Sequence, residues 1–172
     1  LAEHILGHGH TQIGFITGPL EESSSRERLN GFRDAIEDAR LSFDESLVRS
    51  VDWEIHSGYE ATKDLLDQKG SSRPTAIIYG NTQLLLGGYK ALREKSLSIP
   101  GDIAVASFEH PDIIDALSPC PTTLEKVEVR IGQAAAEMLL SIIESKEKMP
   151  PREVYIPSQL VIGESCGCSG RR

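Results

Sequence analysis

The sequence predicts an α/β protein in which a parallel sheet is flanked by helices. Three observations carry that expectation. Helical and strand periods alternate along the chain. The runs AIIY (76–79) and IAVAS (103–107) are almost unbroken apolar stretches, as in strands covered on both faces. Pro100-Gly101 punctuates the passage from a helix to a strand.

Taken in order, LAEHILGHG opens the chain as a helix over 1–9, and QIGFIT forms a strand over 12–17. A helix over 24–40 carries Leu29, Phe32, Ile36 and Ala39 on one stripe. Ser24-x-x-Glu27 reads as its capping box, satisfying the first free N–H groups. Arg28 follows at once, where the positive end of the helix dipole disfavours a cation. It stands four residues before Phe32 and seven before Ala35, on the side that turns inward. A strand over 47–52 and a helix over 56–68 come next, then a strand over 75–79 and a helix over 82–96. Strand 102–108 precedes a helix over 127–146, and EVYIP and QLVIG read as two closing strands. The stripe Ile131, Ala135, Met138, Leu139, Ile142 and Ile143 of the last long helix demands a partner surface.

The 172 residues suffice for one domain with a proper core, at 39% hydrophobic and 26% charged. No apolar run approaches the roughly 18 residues of a membrane span, and no signal-peptide pattern opens the chain. Because the first residues already read as a helix in progress, the chain is expected to be part of a longer protein. A net charge of −8 speaks against nucleic acid as a direct partner of this segment. Cys166 and Cys168 lie in a Gly/Ser-rich tail (166–172) expected to be flexible, with no second Cys or His pair at zinc spacing. His4 and His8 are four residues apart but lack the Glu of an H-E-x-x-H motif. With Cys120 they predict reduced thiols, a solvated helix end, and neither metal nor cofactor.

Ligands of open α/β sheets bind beyond the carboxyl ends of the strands. Glu22, Ser24 and Arg28 follow the first strand, Trp53 the second, Asn81 the third and Glu109 the fourth. A guanidinium, an amide, carboxylates, a hydroxyl and the single tryptophan suit a polyhydroxylated molecule. Charged groups grip vicinal hydroxyls at two points, and an indole face packs on a sugar ring. Each residue also has a plainer reading: an ion pair for Arg28, a cover over a strand end for Trp53, a helix cap for Asn81, a solvated turn for Glu109. Their coincidence at four strand ends favours a pocket. No phosphate-cradling or nucleophile-elbow motif is present, so the reading is a binding domain and not an enzyme.

HTQIGFITGP, RERLNGFRDAIEDA, SGYEATKDLL, RPTAIIYGN, IPGDIAVASFE, SPCPTTLE and IGQAAAEMLL…LVIGESCG succeed one another in the order and spacing of the LacI/GalR family of bacterial transcription regulators. The resemblance spans the chain. It implies a periplasmic-binding-protein-like fold that senses a small effector and dimerises in the cytoplasm, with DNA read only by a helix-turn-helix domain upstream of Leu1. It further implies that 1–125 is the C-terminal effector-binding subdomain, that 126–149 is a crossover helix packing on an N-terminal subdomain, and that 150–165 returns as strands. Arg28 matches the family's effector-gripping arginine, Glu22 and Ser24 its loop contacts, Trp53 its stacking aromatic, and Asn81 a polar contact. Glu109 stands where Asp is usual, Thr82 replaces a common Asp, and Lys126-Val127 replaces Gln-Pro. A homodimer surface is implied over helix 82–96 and segment 111–118, with Leu84, Leu85, Ile113, Ile114 and Leu117 supplying apolar area. A sugar or related polyol is the expected effector, a nucleobase the second. The alternatives are a periplasmic sugar-binding protein of an ABC transporter, which shares the fold, and an α/β enzyme.

Overall fold

The computed structural model describes residues 1–68, 73–110, 113, 116–145 and 150–168. Among these, the elements are α1 (Ala2–Gly7), β1 (Ile13–Thr17), α2 (Ser23–Asp38), β2 (Val48–Ser50), α3 (Ile55–Leu66), β3 (Ala76–Tyr79), α4 (Thr82–Glu94), β4 (Ala104–Ser107), β5 (Thr122–Leu124), α5 (Glu128–Glu144) and β6 (Leu160–Val161). The strands form one sheet in the order β2-β1-β3-β4-β5-β6. All neighbours are parallel except β5 and β6.

Alternation of side chains sorts the sheet into two cores. Ile13 and Phe15 of β1, Ala76 and Ile78 of β3, and Ala104 and Ala106 of β4 face α1 and α2, where Phe15 stacks on Phe32 at 4.8 Å between centroids. Ile16, Ile77, Tyr79 and Val105 face α3 and α4 on the other side. Every residue of β1, β3 and β4 is buried, which explains their unbroken apolar character.

Helices α3 and α4 approach backbone to backbone. A Cβ added at Gly87 would stand 2.1 Å from the Ile55 carbonyl oxygen, and one at Gly58 2.5 Å from that of Leu84. This close contact corrects one expectation. Leu84 and Leu85 are both fully buried in their own core, so neither reaches an outer surface for a dimer partner. Ile113 is exposed, Leu117 is half-buried against the α4 core, and Ile114 lies outside the described residues.

Other boundaries differ for local reasons. α2 begins at Ser23 with Glu22 at its N-cap and no side-chain capping bond, so the Ser24–Glu27 capping box does not form. Three consecutive serines offer equivalent starts, and the chain uses the earliest. Asn81 does cap α4, its Oδ1 accepting the Leu84 N–H at 2.8 Å. EVYIP is not a strand, QLVIG contributes only Leu160–Val161, and the unforeseen β5 comes from Thr122–Leu124 beside β4. The tail is not free as far as Cys168. Cys166 is fully buried in the α1–α2 core and accepts the Thr122 hydroxyl at 3.0 Å. α5 buries none of its residues: Ile131, Leu139, Ile142 and Ile143 are 50%, 58%, 55% and 68% exposed.

Candidate functional site

The sheet order reverses at β1. The chain leaves β1 through α2 to reach β2 on one side, then crosses through α3 to β3 on the other. Helices following β1 and β3 therefore lie on opposite faces, and a crevice opens between the carboxyl ends of those strands. Glu22, Ser24, Arg28, Trp53, Asn81 and Glu109 line a single cleft of about 270 Å³ at this place.

Arg28 is half-buried on the inner side of α2, and its NH1 donates to the Gly80 carbonyl at 2.8 Å. That bond joins the helix after β1 to the end of β3, across the reversal. The guanidinium carbon also stands 5.6 Å from the Trp53 ring centroid and 5.4 Å from that of Phe108, so two aromatic faces hold it. One donor is committed to Gly80; a guanidinium has five. Trp53 lies flat on backbone. A Cβ added at Gly18 would sit 2.0 Å from its ring, and one at Gly80 3.0 Å, so only glycine lets the indole enter. Its N–H donates to Glu22 Oε2 at 2.9 Å. Glu109 Oε2 accepts the Thr82 N–H at 3.0 Å, at the N-terminus of α4, where the helix dipole favours a carboxylate. Asn81 spends its Oδ1 on the cap, leaving its amide NH2 for a ligand.

Phe108 and the glycines at 18 and 80 are site residues that the sequence reading passed over. Phe108 was legible only as the aromatic before Glu109. A larger hollow of about 580 Å³ adjoins the cleft and shares Ser24 and Arg28, with Phe15, Phe32, Ile78 and Phe108 among its walls. Its walls also carry the carboxylates of Glu3, Glu27, Asp34 and Asp38, whereas the smaller cleft is where side chains that follow four different strands converge.

A second gathering of chemistry lies elsewhere. The ligand atoms of His4, His8, Cys166 and Cys168 all fall within 4.8 Å of one another. The expectation that the cysteines have no histidine pair is corrected: the pair is at the other end of the chain.

Residues 2–166 match the family described as periplasmic binding protein-like domain. The chain is 34% identical over 153 residues to the HTH-type transcriptional repressor PurR of Proteus mirabilis, a match covering 88% of the chain and 44% of that protein. It thus spans less than half the length of that curated relative. A LacI transcriptional regulator from Bacillus cereus subsp. cytotoxis superposes with a TM-score of 0.89 at 28% identity, over 99% of this chain and 59% of the other. The transcriptional regulator CelR in complex with cellobiose does so with a TM-score of 0.87 at 27% identity, over 95% and 49%. With a reversal-point cleft in a six-stranded sheet and a family match from residue 2 to residue 166, the chain belongs to the periplasmic binding protein-like domains, in the form that serves LacI/GalR regulators as their effector-binding region.

Proposed function

We propose that the chain senses a sugar or related polyol in the cleft and passes its occupancy to a DNA-binding domain elsewhere in the same protein. The observation that carries this reading is the convergence of Glu22, Ser24, Arg28, Trp53, Asn81 and Glu109 on one cleft. Carboxylates and a guanidinium grip hydroxyls at two points, and the indole offers a face for ring C–H groups. The cellobiose complex of a similarly folded regulator supports a carbohydrate. A nucleobase is the second reading, favoured by Phe108, which adds another aromatic face beside Arg28.

The same proposal assigns the exposed stripe of α5 to contact with an N-terminal subdomain and the outer side of α4 to a homodimer. Leu86, Tyr89 and Leu117, which line an open hollow of about 430 Å³, take the place of Leu84 and Leu85 on that surface. No helix among the described residues is long and apolar enough to cross a membrane. We assign the protein to the cytoplasm and give it a binding role, not a catalytic one.

The single tryptophan is the natural reporter. Titration of the protein with ribose, cellobiose, hypoxanthine and guanine, followed by Trp53 emission and calorimetry, tests the reading. Saturable binding of a carbohydrate supports it, binding of purines alone favours the nucleobase, and no change with a broad sugar and base panel rejects a sensing cleft.

A further inference from the structure

The geometry points to a structural zinc-type site built from His4, His8, Cys166 and Cys168, which staples the first helix to the end of the chain. The residues come in two pairs. His4 and His8 are four apart, one helical turn, so both imidazoles leave the same side of the α1 region, with ring centroids 4.8 Å apart. Cys166 and Cys168 are separated by one residue, with Gly167 between them at φ +83°, a conformation that glycine adopts without strain. That turn brings the second sulfur back toward the histidines.

The distances suit tetrahedral coordination. Cys166 Sγ lies 3.4 Å from His4 Nε2, and Cys168 Sγ lies 3.5 Å from His4 Nε2 and 3.0 Å from His8 Nε2. Bonds of about 2.3 Å to sulfur and about 2.0–2.1 Å to nitrogen, at the tetrahedral angle, place S and N ligands about 3.6 Å apart. The two sulfur distances to His4 Nε2 lie within about 0.2 Å of that separation, and the Cys168–His8 pair must open by about 0.6 Å to admit a cation. Two sulfurs and two imidazole nitrogens are the donor set of closed structural zinc sites, and a complete four-ligand shell leaves no open position for catalysis.

Neighbouring groups favour the bound form. The Thr122 hydroxyl accepts the Gly163 N–H at 3.0 Å and donates to Cys166 Sγ at 3.0 Å, so its hydrogen is aimed at the sulfur, as outer-shell donors are in thiolate sites. Each ligating thiol gives up its proton to solvent as the metal–sulfur bond forms, so two protons leave, two S–H bonds are exchanged for two metal–sulfur bonds, and nothing is oxidised. The two thiolates neutralise the dication. His8 is exposed and Cys168 half-buried, which gives a cation an entry path to the buried Cys166.

Cobalt(II) and zinc titrations of the protein under a phosphine reductant, monitored by absorption spectroscopy and metal analysis, test the site. The expected result is one cobalt per chain, with intense visible bands of tetrahedral geometry and near-ultraviolet thiolate charge transfer, displaced by stoichiometric zinc. Cys168→Ser and His8→Ala touch only accessible side chains, and each should weaken zinc binding at least tenfold while circular dichroism is unchanged. Cys120→Ser, outside the cluster, should leave the spectrum as it is. Weak octahedral bands, or zinc binding equal in the wild type and a His8→Ala/Cys168→Ser double variant, would overturn the assignment.

Discussion

The indole N–H of Trp53 donates to Glu22 Oε2 at 2.9 Å, and so ties the end of β2 to the loop after β1. The ring is held from beneath by the bare backbone of Gly18 and Gly80. Gly18→Ala must therefore lift the indole, although residue 18 presents no side chain to a ligand. Overpacking of this kind costs about 1–3 kcal/mol of stability. We expect stronger acrylamide quenching of Trp53 in this variant and a loss of effector affinity. Unchanged quenching would mean that the ring does not rest there.

Arg28 is engaged but not exhausted, since one N–H serves Gly80 and the aromatic faces of Trp53 and Phe108 hold the plane. A hydrogen bond to a charged group is worth about 1.5–3 kcal/mol, so Arg28→Ala should weaken effector binding roughly tenfold to a hundredfold. Arg28→Lys should recover little of this, because an ammonium cannot reproduce a flat fork between two rings. Calorimetry measures affinity, and melting without ligand measures stability. A large fall in melting temperature with affinity intact would assign Arg28 to structure alone.

These residues were legible because they follow strands. Once AIIY and IAVAS are read as buried parallel strands, what succeeds each strand must meet at one end of the sheet. Contacts that depend on depth were not legible in the same way. Adjacent Leu84 and Leu85 resemble surplus apolar surface in a helical pattern, yet α4 presses on α3 across Gly58 and Gly87, and that contact buries both. Thr122–Leu124 has no strand-like apolar run and becomes β5 by pairing with β4. The histidine–cysteine cluster joins residues more than 150 positions apart, and only the fold puts α1 beside the chain's end.

Asp102 offers a test of sign in the pH dependence of stability. Its Oδ2 accepts both the Ser98 hydroxyl, at 2.6 Å, and the Ser98 N–H, at 2.8 Å. Those bonds hold its carboxyl below the usual 3.8, and the Lys95 ammonium does the same for Asp67. A carboxyl depressed in the folded state binds fewer protons than in the unfolded chain, so its contribution is present above about pH 4 and is lost as pH falls through the folded value. Asp102→Asn should be less stable than the wild type at pH 7, with the gap closing toward pH 3. Urea unfolding at both pH values checks this, and a gap that widens in acid would contradict a stabilising role for the two bonds to Ser98.

The α5 stripe is the largest run of exposed apolar side chains among the described residues. Ile131, Leu139, Ile142 and Ile143 are all at least half exposed, although burying such a side chain is worth about 1.5–3 kcal/mol. Because α5 buries none of its residues, replacing Leu139 and Ile142 by glutamate removes no core contact. Surface changes away from special features stay within about 0.5 kcal/mol each, so the double variant should melt at nearly the wild-type temperature. In this 172-residue chain the bare stripe is free to pair with a second copy, a contact additional to the homodimer assigned to the outer side of α4, so the variant should lose that added association. Light scattering across a concentration series reads the difference. Equal association in wild type and variant would show that the contact runs through another face, such as the outer side of α4 with Leu86 and Tyr89, and a marked loss of melting temperature would show that α5 folds back onto the body of the domain.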